Sequence, residues 1–160
     1  SLYDGPYPFI QTGDIARSDG VLKTWTQTYS EKGLAQSRMW PKGTVVTTIA
    51  ANIGKTAILD FDACFPDSVV GFVPGKRIRH GYLRTFLAII APRLEELAPQ
   101  AAQKNINLEI IRKIKVPVPP LELQDAFEER LKQCISLSVR LNLRSENLKT
   151  LADSIAAEYF

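Results

Sequence analysis

The sequence predicts an α+β chain: a mixed, twisted β-sheet domain over residues 1–119, followed by a long C-terminal coiled-coil-type helix over residues 120–160. Three observations carry that reading. All nine glycines lie between Gly5 and Gly81, no proline follows Pro120, and the β-branched runs fall inside the glycine-bearing segment. Glycine and proline punctuate turns, so the first segment is turn-rich and the last holds nothing that would stop a helix.

In chain order, Pro8-Phe-Ile-Gln11 reads as a short strand, and its proline suggests an edge. Ser30 before Glu31-Lys-Gly-Leu-Ala reads as the N-cap of a short helix. Gly43–Ala50, Thr56–Asp60 and Ser68–Val73 are rich in β-branched residues and bounded by Gly, Pro or Asp, the pattern of strands. Gly81–Ala91 has helical spacing, disturbed or ended near Pro92. Asn107 is placed to cap a helix over Leu108–Lys113. Ile114-Lys-Val-Pro-Val118 reads as a second edge strand. Pro119-Pro120 marks the junction, since proline is tolerated in a first helical turn and forces the residue before it into extended geometry.

Beyond the junction, Phe127, Leu131, Cys134, Ser138, Leu141, Ser145, Leu148, Ala152, Ile155 and Tyr159 are spaced alternately four and three apart, a heptad seam weakened by its two serines. Leu123, Ile135, Leu137, Val139, Leu143 and Leu151 lie off the seam, so the apolar surface is wider than a two-stranded coil needs. Glu122, Asp125, Glu128 and Glu129 fall in the first turns, where the helix dipole favours acids. Unbroken, such a helix extends about 58 Å at 1.5 Å per residue, and with so much apolar surface it needs a partner.

Length and composition exclude several classes. The 160 residues are 45% apolar, enough for a real core and too apolar for a disordered chain. Two cysteines exclude a disulfide scaffold. No stretch nears the roughly 18 apolar residues of a membrane span, and the start lacks a signal-peptide layout, so a reduced, cytoplasmic protein is expected. The net charge of +3 hides a division. Residues 1–119 hold 15 Lys+Arg against 10 Asp+Glu, giving +5, and residues 120–160 hold 5 against 7, giving −2.

Catalytic motifs are hard to find. Gly54-Lys55-Thr56 ends like a phosphate-binding loop, but Ile49 stands where its first glycine belongs. His80 is the only histidine and reads as a surface residue at a helix start. Cys64 and Cys134 form no Cys-x-x-Cys pair and read as buried thiols. Asp60, Asp62 and Asp67 lack the ligand count and glycine turn of a calcium loop and read as solvated turn acids. Val118-Pro119-Pro120-Leu121 is loosely similar to the Asn/Asp-Pro-Pro-Tyr of amino-methyltransferases. Its aliphatic ends could neither accept the amine's hydrogen bond nor stack a flipped base. The chain is therefore not expected to be an enzyme, to bind a metal or to carry a cofactor.

A binding surface remains. Lys76, Arg77, Arg79 and Arg84 form one basic cluster, and Lys104, Arg112, Lys113 and Lys115 another, with Arg17, Lys23 and Lys55 near loops. Lys and Arg neutralise phosphates, while Asn, Gln and Arg match base edges. A merely solvated basic face gives the same composition.

Five features in order resemble the specificity (S) subunit of type I restriction-modification systems. They are Pro8-Phe-Ile-Gln-Thr-Gly-Asp-Ile15; Tyr29-Ser-Glu-Lys-Gly-Leu-Ala-Gln-Ser-Arg38; Pro41-Lys-Gly-Thr-Val45; Ala51-Asn-Ile-Gly54 with Asp67-Ser-Val-Val-Gly-Phe72; and Gln103-Lys-Asn-Ile-Asn-Leu108. The last leads into Ile114-Lys-Val-Pro-Val-Pro-Pro-Leu-Glu-Leu-Gln124. The resemblance implies that residues 1–119 are a target recognition domain reading one half of a bipartite site in double-stranded DNA. Residues 120–160 would then be the helical spacer, which pairs with a second such helix and docks the modification (methyltransferase) subunits and the restriction or motor subunit. S-adenosylmethionine, ATP and Mg would sit on those partners.

A typical S subunit carries two recognition domains and two helical regions, and a Leu-Gly segment upstream of a Tyr3-Asp4-Gly5-like stretch. This chain shows one of each region and starts after that segment, which fits a natural half-subunit, a trimmed form or a piece of a longer subunit alike; homodimerisation through the C-terminal helix is expected. Thr12, Asp14, Arg17, Thr47, Asn52, Lys55, Arg77, Arg79, Gln103, Lys104 and Asn105 are the candidate DNA contacts. Phe127, Leu131, Cys134, Leu141, Leu148, Ile155 and Tyr159 are the candidate dimer seam, and Pro119, Pro120, Leu121 and Gln124 the candidate fixers of the domain–helix angle. Gly13, Gly43, Gly54 and Gly71 read as turn and close-packing positions. Two other classes compete: a coiled-coil adaptor that binds protein without DNA specificity, and a stand-alone nuclease using Asp67.

Overall fold

A computed structural model describes residues 1–96 and 106–159, with the backbone alone at 94, 95, 144, 145, 147–153 and 155–159. Two compact units emerge, Ser1–Leu121 and Glu122–Phe160.

The first unit contains β1 (Tyr3–Phe9), α1 (Thr12–Arg17), β2 (Val21–Leu22), β3 (Gln27–Tyr29), α2 (Glu31–Leu34), β4 (Val45–Thr48), β5 (Thr56–Leu59), β6 (Val69–Phe72), α3 (His80–Glu96) and α4 (Leu108–Arg112). The strands form a two-stranded sheet, β1–β3, and a four-stranded sheet in the order β2–β5–β4–β6. In the larger sheet β2 runs parallel to β5, while β4 is antiparallel to both β5 and β6. The fold is thus the expected mixture of α and β.

Strand β4 is the centre of the unit because both its faces are covered. Successive side chains of a strand point to opposite faces. Val45 accordingly packs with Leu83 and Leu87 of α3. Val46 packs with Ile10, Ile15, Leu22 and Leu59. All four residues of β4 are buried, which is why this stretch reads as a continuous apolar and Thr run rather than an alternation. A third cluster, Ile49 with Ile106 and Ile111, ties α4 to the end of β4, where the Ile106 amide donates to the Ile49 carbonyl at 2.8 Å.

The caps behave as expected. Ser30 Oγ accepts the Gly33 amide at 3.4 Å, and Asn107 Oδ1 accepts the Glu109 amide at 3.0 Å. Six segments depart from the sequence reading. The first strand starts at Tyr3 and ends at Phe9, with a register break between Tyr3 and Tyr7 where Asp4 takes φ +65°. Helix α1 and strands β2 and β3 carry too few residues to show a period. Helix α3 runs through Pro92 to Glu96. Pro92 offers no N–H to the Ala88 carbonyl, yet the helix continues past it. Residues 114–118 form no strand. Pro117 supplies no ladder donor, and Ile114 and Val116 instead pack into two of the core clusters.

The second unit is one helix, α5 (Leu121–Tyr159), as the unbroken heptad pattern predicts. Its first turn carries Glu122. No helix among the described residues is long and apolar enough to cross a membrane.

Candidate nucleic-acid interface

Helix α1 organises one polar face of the first unit. Gln11 and Asp14 form a capping box, in which the Gln11 amide donates to Asp14 Oδ2 at 2.9 Å. The other carboxylate oxygen of Asp14 accepts from Arg17 Nη2 at 2.8 Å and from Thr26 Oγ1 at 3.0 Å. Asp14 is buried, so its charge is compensated by one cation and two neutral donors. The arrangement fixes Arg17, exposed beyond it, and ties the Lys23–Thr26 loop to the helix. Gln11 adds a second tie by donating its side-chain amide to Gln27.

Three shallow clefts follow this face and share walls. The first, about 450 Å3, is lined by Asp4, Gln11, Trp25, Thr26, Gln27 and Thr28. The second, about 320 Å3, includes Asp14, Arg17, Lys23 and Thr24, and shares Thr26 with the first. The third, about 490 Å3, includes Lys55 and Arg84, and shares Ser18 and Asp19 with the second. The result is a continuous strip of mixed polar and apolar side chains, with amides and an exposed tryptophan at one end and two cations at the other. Trp25 is 44% exposed and lies in tilted contact with Phe61, their ring centroids 4.7 Å apart. An indole held on edge in this way offers a flat, rigid contact surface.

The third cleft is shaped by the turn between β4 and β5. Gly54 takes φ +78°, a conformation costly for any residue with a Cβ, and a Cβ there would also run into Ala91 of α3. Thr48 Oγ1 donates to the Asn52 carbonyl and accepts the Lys55 amide at 3.0 Å, closing the turn from within. Asn52 and Lys55 are consequently exposed on a rigid turn.

The candidate contacts therefore scatter. Thr12 and Asp14 lie on α1, half-buried and buried, with Arg17 exposed at its end. Thr47 is buried in β4. Asn52 and Lys55 share the β4–β5 turn, while exposed Arg77 and Arg79 precede α3. These two groups sit at opposite ends of that helix. A Cβ on Gly43 would meet the ring of His80, the first residue of α3, whereas Gly54 meets Ala91, about 16 Å further along at 1.5 Å per residue. Gln103, Lys104 and Asn105 lie outside the described residues. Sequence reasoning missed Trp25; its only signal was an aromatic flanked by threonines and Gln27 between two turn-prone segments.

Other singled-out residues have plain roles. His80 is exposed, with Nδ1 2.6 Å from the Gly43 carbonyl oxygen. Asp60 pairs with Lys42 at 2.6 Å, and that cation holds its carboxyl below the ordinary value. Asp62 accepts the Lys42 amide at 2.7 Å. Among the described residues no three metal-ligating side chains gather. Cys64 is buried as expected, and burial pushes its thiol up. Cys134 is exposed, a correction to the expected burial, because nothing in its own unit covers that side of α5. Of the seam residues, Phe127 and Leu141 are exposed and Leu131 is half-buried. Leu148, Ile155 and Tyr159 belong to α5, with side chains outside those described. Pro119 and Pro120 precede α5, Leu121 begins it, and Gln124 follows in its first turn.

Comparison with known proteins bears on this surface. A family model described as the type I restriction modification DNA specificity domain matches residues 2–149. Over 89 residues, 55% of this chain, the sequence is 30% identical to a Methanocaldococcus jannaschii protein named as a type I restriction enzyme MjaX specificity subunit, covering 21% of that protein. The HsdS subunit from Thermoanaerobacter tengcongensis superposes with a TM-score of 0.67 at 20% identity, over 88% of this chain and 34% of that one. A chain from a structure of complex assembly and conformational transition of the type I R-M system gives 0.69 at 18% identity, over 91% and 36%. Both structural likenesses concern the fold. The chain spans about a third of either solved chain and about a fifth of the curated relative.

Proposed function

The chain belongs to the type I restriction-modification DNA specificity family, and from that premise we propose that it is a non-catalytic module reading one half of a bipartite site in double-stranded DNA. The family match over residues 2–149 carries this reading. The strip built on α1 supports it chemically, since amides, hydroxyls and cations on a rigid frame suit base edges and phosphates.

The −2 helical segment has a different task. Its exposed leucines suit pairing with a second copy, and docking of the methyltransferase subunits and the restriction or motor subunit. S-adenosylmethionine, ATP and Mg act on those partners, in the cytoplasm. Two identical half-subunits would read an inverted, interrupted repeat.

Selection of duplexes from a random pool, paired with methylome sequencing of a host expressing the system, tests the proposal. One short motif should emerge from both. Binding that spans about five phosphates should give a log–log salt slope near −4.5. Retention of duplexes without enrichment, or affinity indifferent to salt, would favour the protein-binding adaptor.

A further inference from the structure

The third cleft is lined by two cations, Lys55 and Arg84, that form no ion pair among the described residues. Arg84, on the second turn of α3, is half-buried, and its guanidinium lies against Gly20: a Cβ on that glycine would stand 2.5 Å from Nη1. Gly20 takes φ +99°, so both its conformation and the space beside it favour the absence of a side chain. Lys55 enters the same cleft from the β4–β5 turn, which Gly54 presses against Ala91 of that helix. Two separate glycine contacts thus hold the Asp19–Gly20 turn and the Lys55 turn against α3, which carries Arg84 itself.

Two cations of the unit pair with acids, Arg17 with Asp14 and Lys42 with Asp60. Lys55 and Arg84 form no such pair among the described residues, although Asp19 lines the same cleft. A guanidinium partly withdrawn from water without a counter-charge loses solvation and gains nothing in return. An oxyanion would reverse that balance. With Asp19 counted against Lys55 and Arg84, the cleft carries a net +1, which suits a singly charged phosphodiester better than a doubly charged phosphate ester.

We propose that Lys55 and Arg84 form a seat for one phosphodiester of the DNA backbone, an anchor that sets the register of the duplex without reading its sequence. This rests on the DNA-binding reading above. It assigns Arg84 a task distinct from that of Arg77 and Arg79, beside which it stands in the sequence.

Fluorescence anisotropy of the full chain, with the selected duplex and a scrambled one across a salt series, tests the seat. The Lys55→Gln/Arg84→Gln protein should bind both duplexes roughly ten-fold more weakly, by the same factor. Its log–log salt slope should be shallower by about 0.9. Arg84→Lys keeps the charge and should keep the slope. Lys55→Gln alone, on an exposed turn, gives the same test if Arg84→Gln disturbs folding, and thermal melting distinguishes that case. An unchanged slope and affinity in the double variant overturns the seat while leaving DNA binding intact. A loss confined to the selected duplex overturns it in favour of base reading. Inorganic phosphate or ATP that binds the unaltered protein, but not the double variant, would reassign the cleft to a free phosphate ester. Failure of the unaltered protein to bind any duplex would instead sink the reading on which the seat depends.

Discussion

In the Ser1–Leu121 unit, Val45, Val46, Leu59 and Leu87 are at most 2% exposed, whereas Leu123, Leu137, Leu141 and Leu143 of the Glu122–Phe160 unit are each more than half exposed. The residue types are alike, and both sets sit on regular elements. What differs is topology. A central strand such as β4 has two faces, and the chain returns from both sides to cover them. A single helix cannot return on itself. Sequence pattern thus fixes which face is apolar, while the surrounding chain decides whether that face is satisfied internally or left for another molecule.

The sharpest way to break this comparison is to place the same charge in each unit. Val46→Asp buries a carboxylate with no partner between α1 and β4, a class of change that costs more than about 4 kcal/mol. That is a large share of the roughly 5–15 kcal/mol that holds a domain together. The cooperative thermal transition of the sheet unit should disappear from circular dichroism. Survival of the transition would mean that β4 is not the centre of the core.

Charges in the helix should act on assembly instead. If two copies pair through α5 as proposed, Leu141→Asp with Leu148→Asp should raise their dissociation constant at least about a hundredfold, since each carboxylate would be desolvated on pairing. The melting of the sheet unit should barely move. Light scattering reads the outcome directly, and a dimer that persists at low micromolar concentration removes the seam as its basis.

The same contrast explains what could be read in advance. Val45–Thr48 and Val69–Phe72 are dense in β-branched residues and announce strands; Ser30 and Asn107 announce caps. Helix α1 gives no such signal, because Thr12-Gly-Asp-Ile-Ala-Arg is held by the Asp14 hydrogen bonds rather than by an apolar period. Residues 114–118 mislead in the opposite direction, with strand-like side chains on a segment where Pro117 offers no donor and Ile114 and Val116 pack into the core clusters instead. The candidate interface was partly visible, as Arg17 and Lys55 lie near recognisable turns. Its continuity was not. Arg84 meets Gly20 across more than sixty residues of chain, and Arg77 and Lys55 stand at opposite ends of α3, relations that only the folded topology creates.

The smallest expected effect comes from the two thiols, one in each unit. Cys64 is buried and Cys134 exposed. In the folded protein an aromatic disulfide reagent should therefore titrate one thiol quickly and the second only after denaturation. If α5 pairs along its seam, raising the protein concentration should slow the fast reaction as well. Cys64 adds a pH dependence. Burial raises its thiol pKa above the ordinary 9.0, opposed in part by the Ser37 hydrogen bond. The folded state therefore keeps a proton that the unfolded chain releases. Its contribution to stability is complete below about pH 9 and declines as pH rises above that value. Tyr29, also raised by burial, extends the decline towards higher pH. Cys64→Ala should flatten the first part of this alkaline slope in denaturant titrations, whereas Cys134→Ala should leave it unchanged. Equal slopes in both variants would show that the alkaline loss arises elsewhere, and equal labelling rates in the folded protein would remove the contrast between a covered and an uncovered unit.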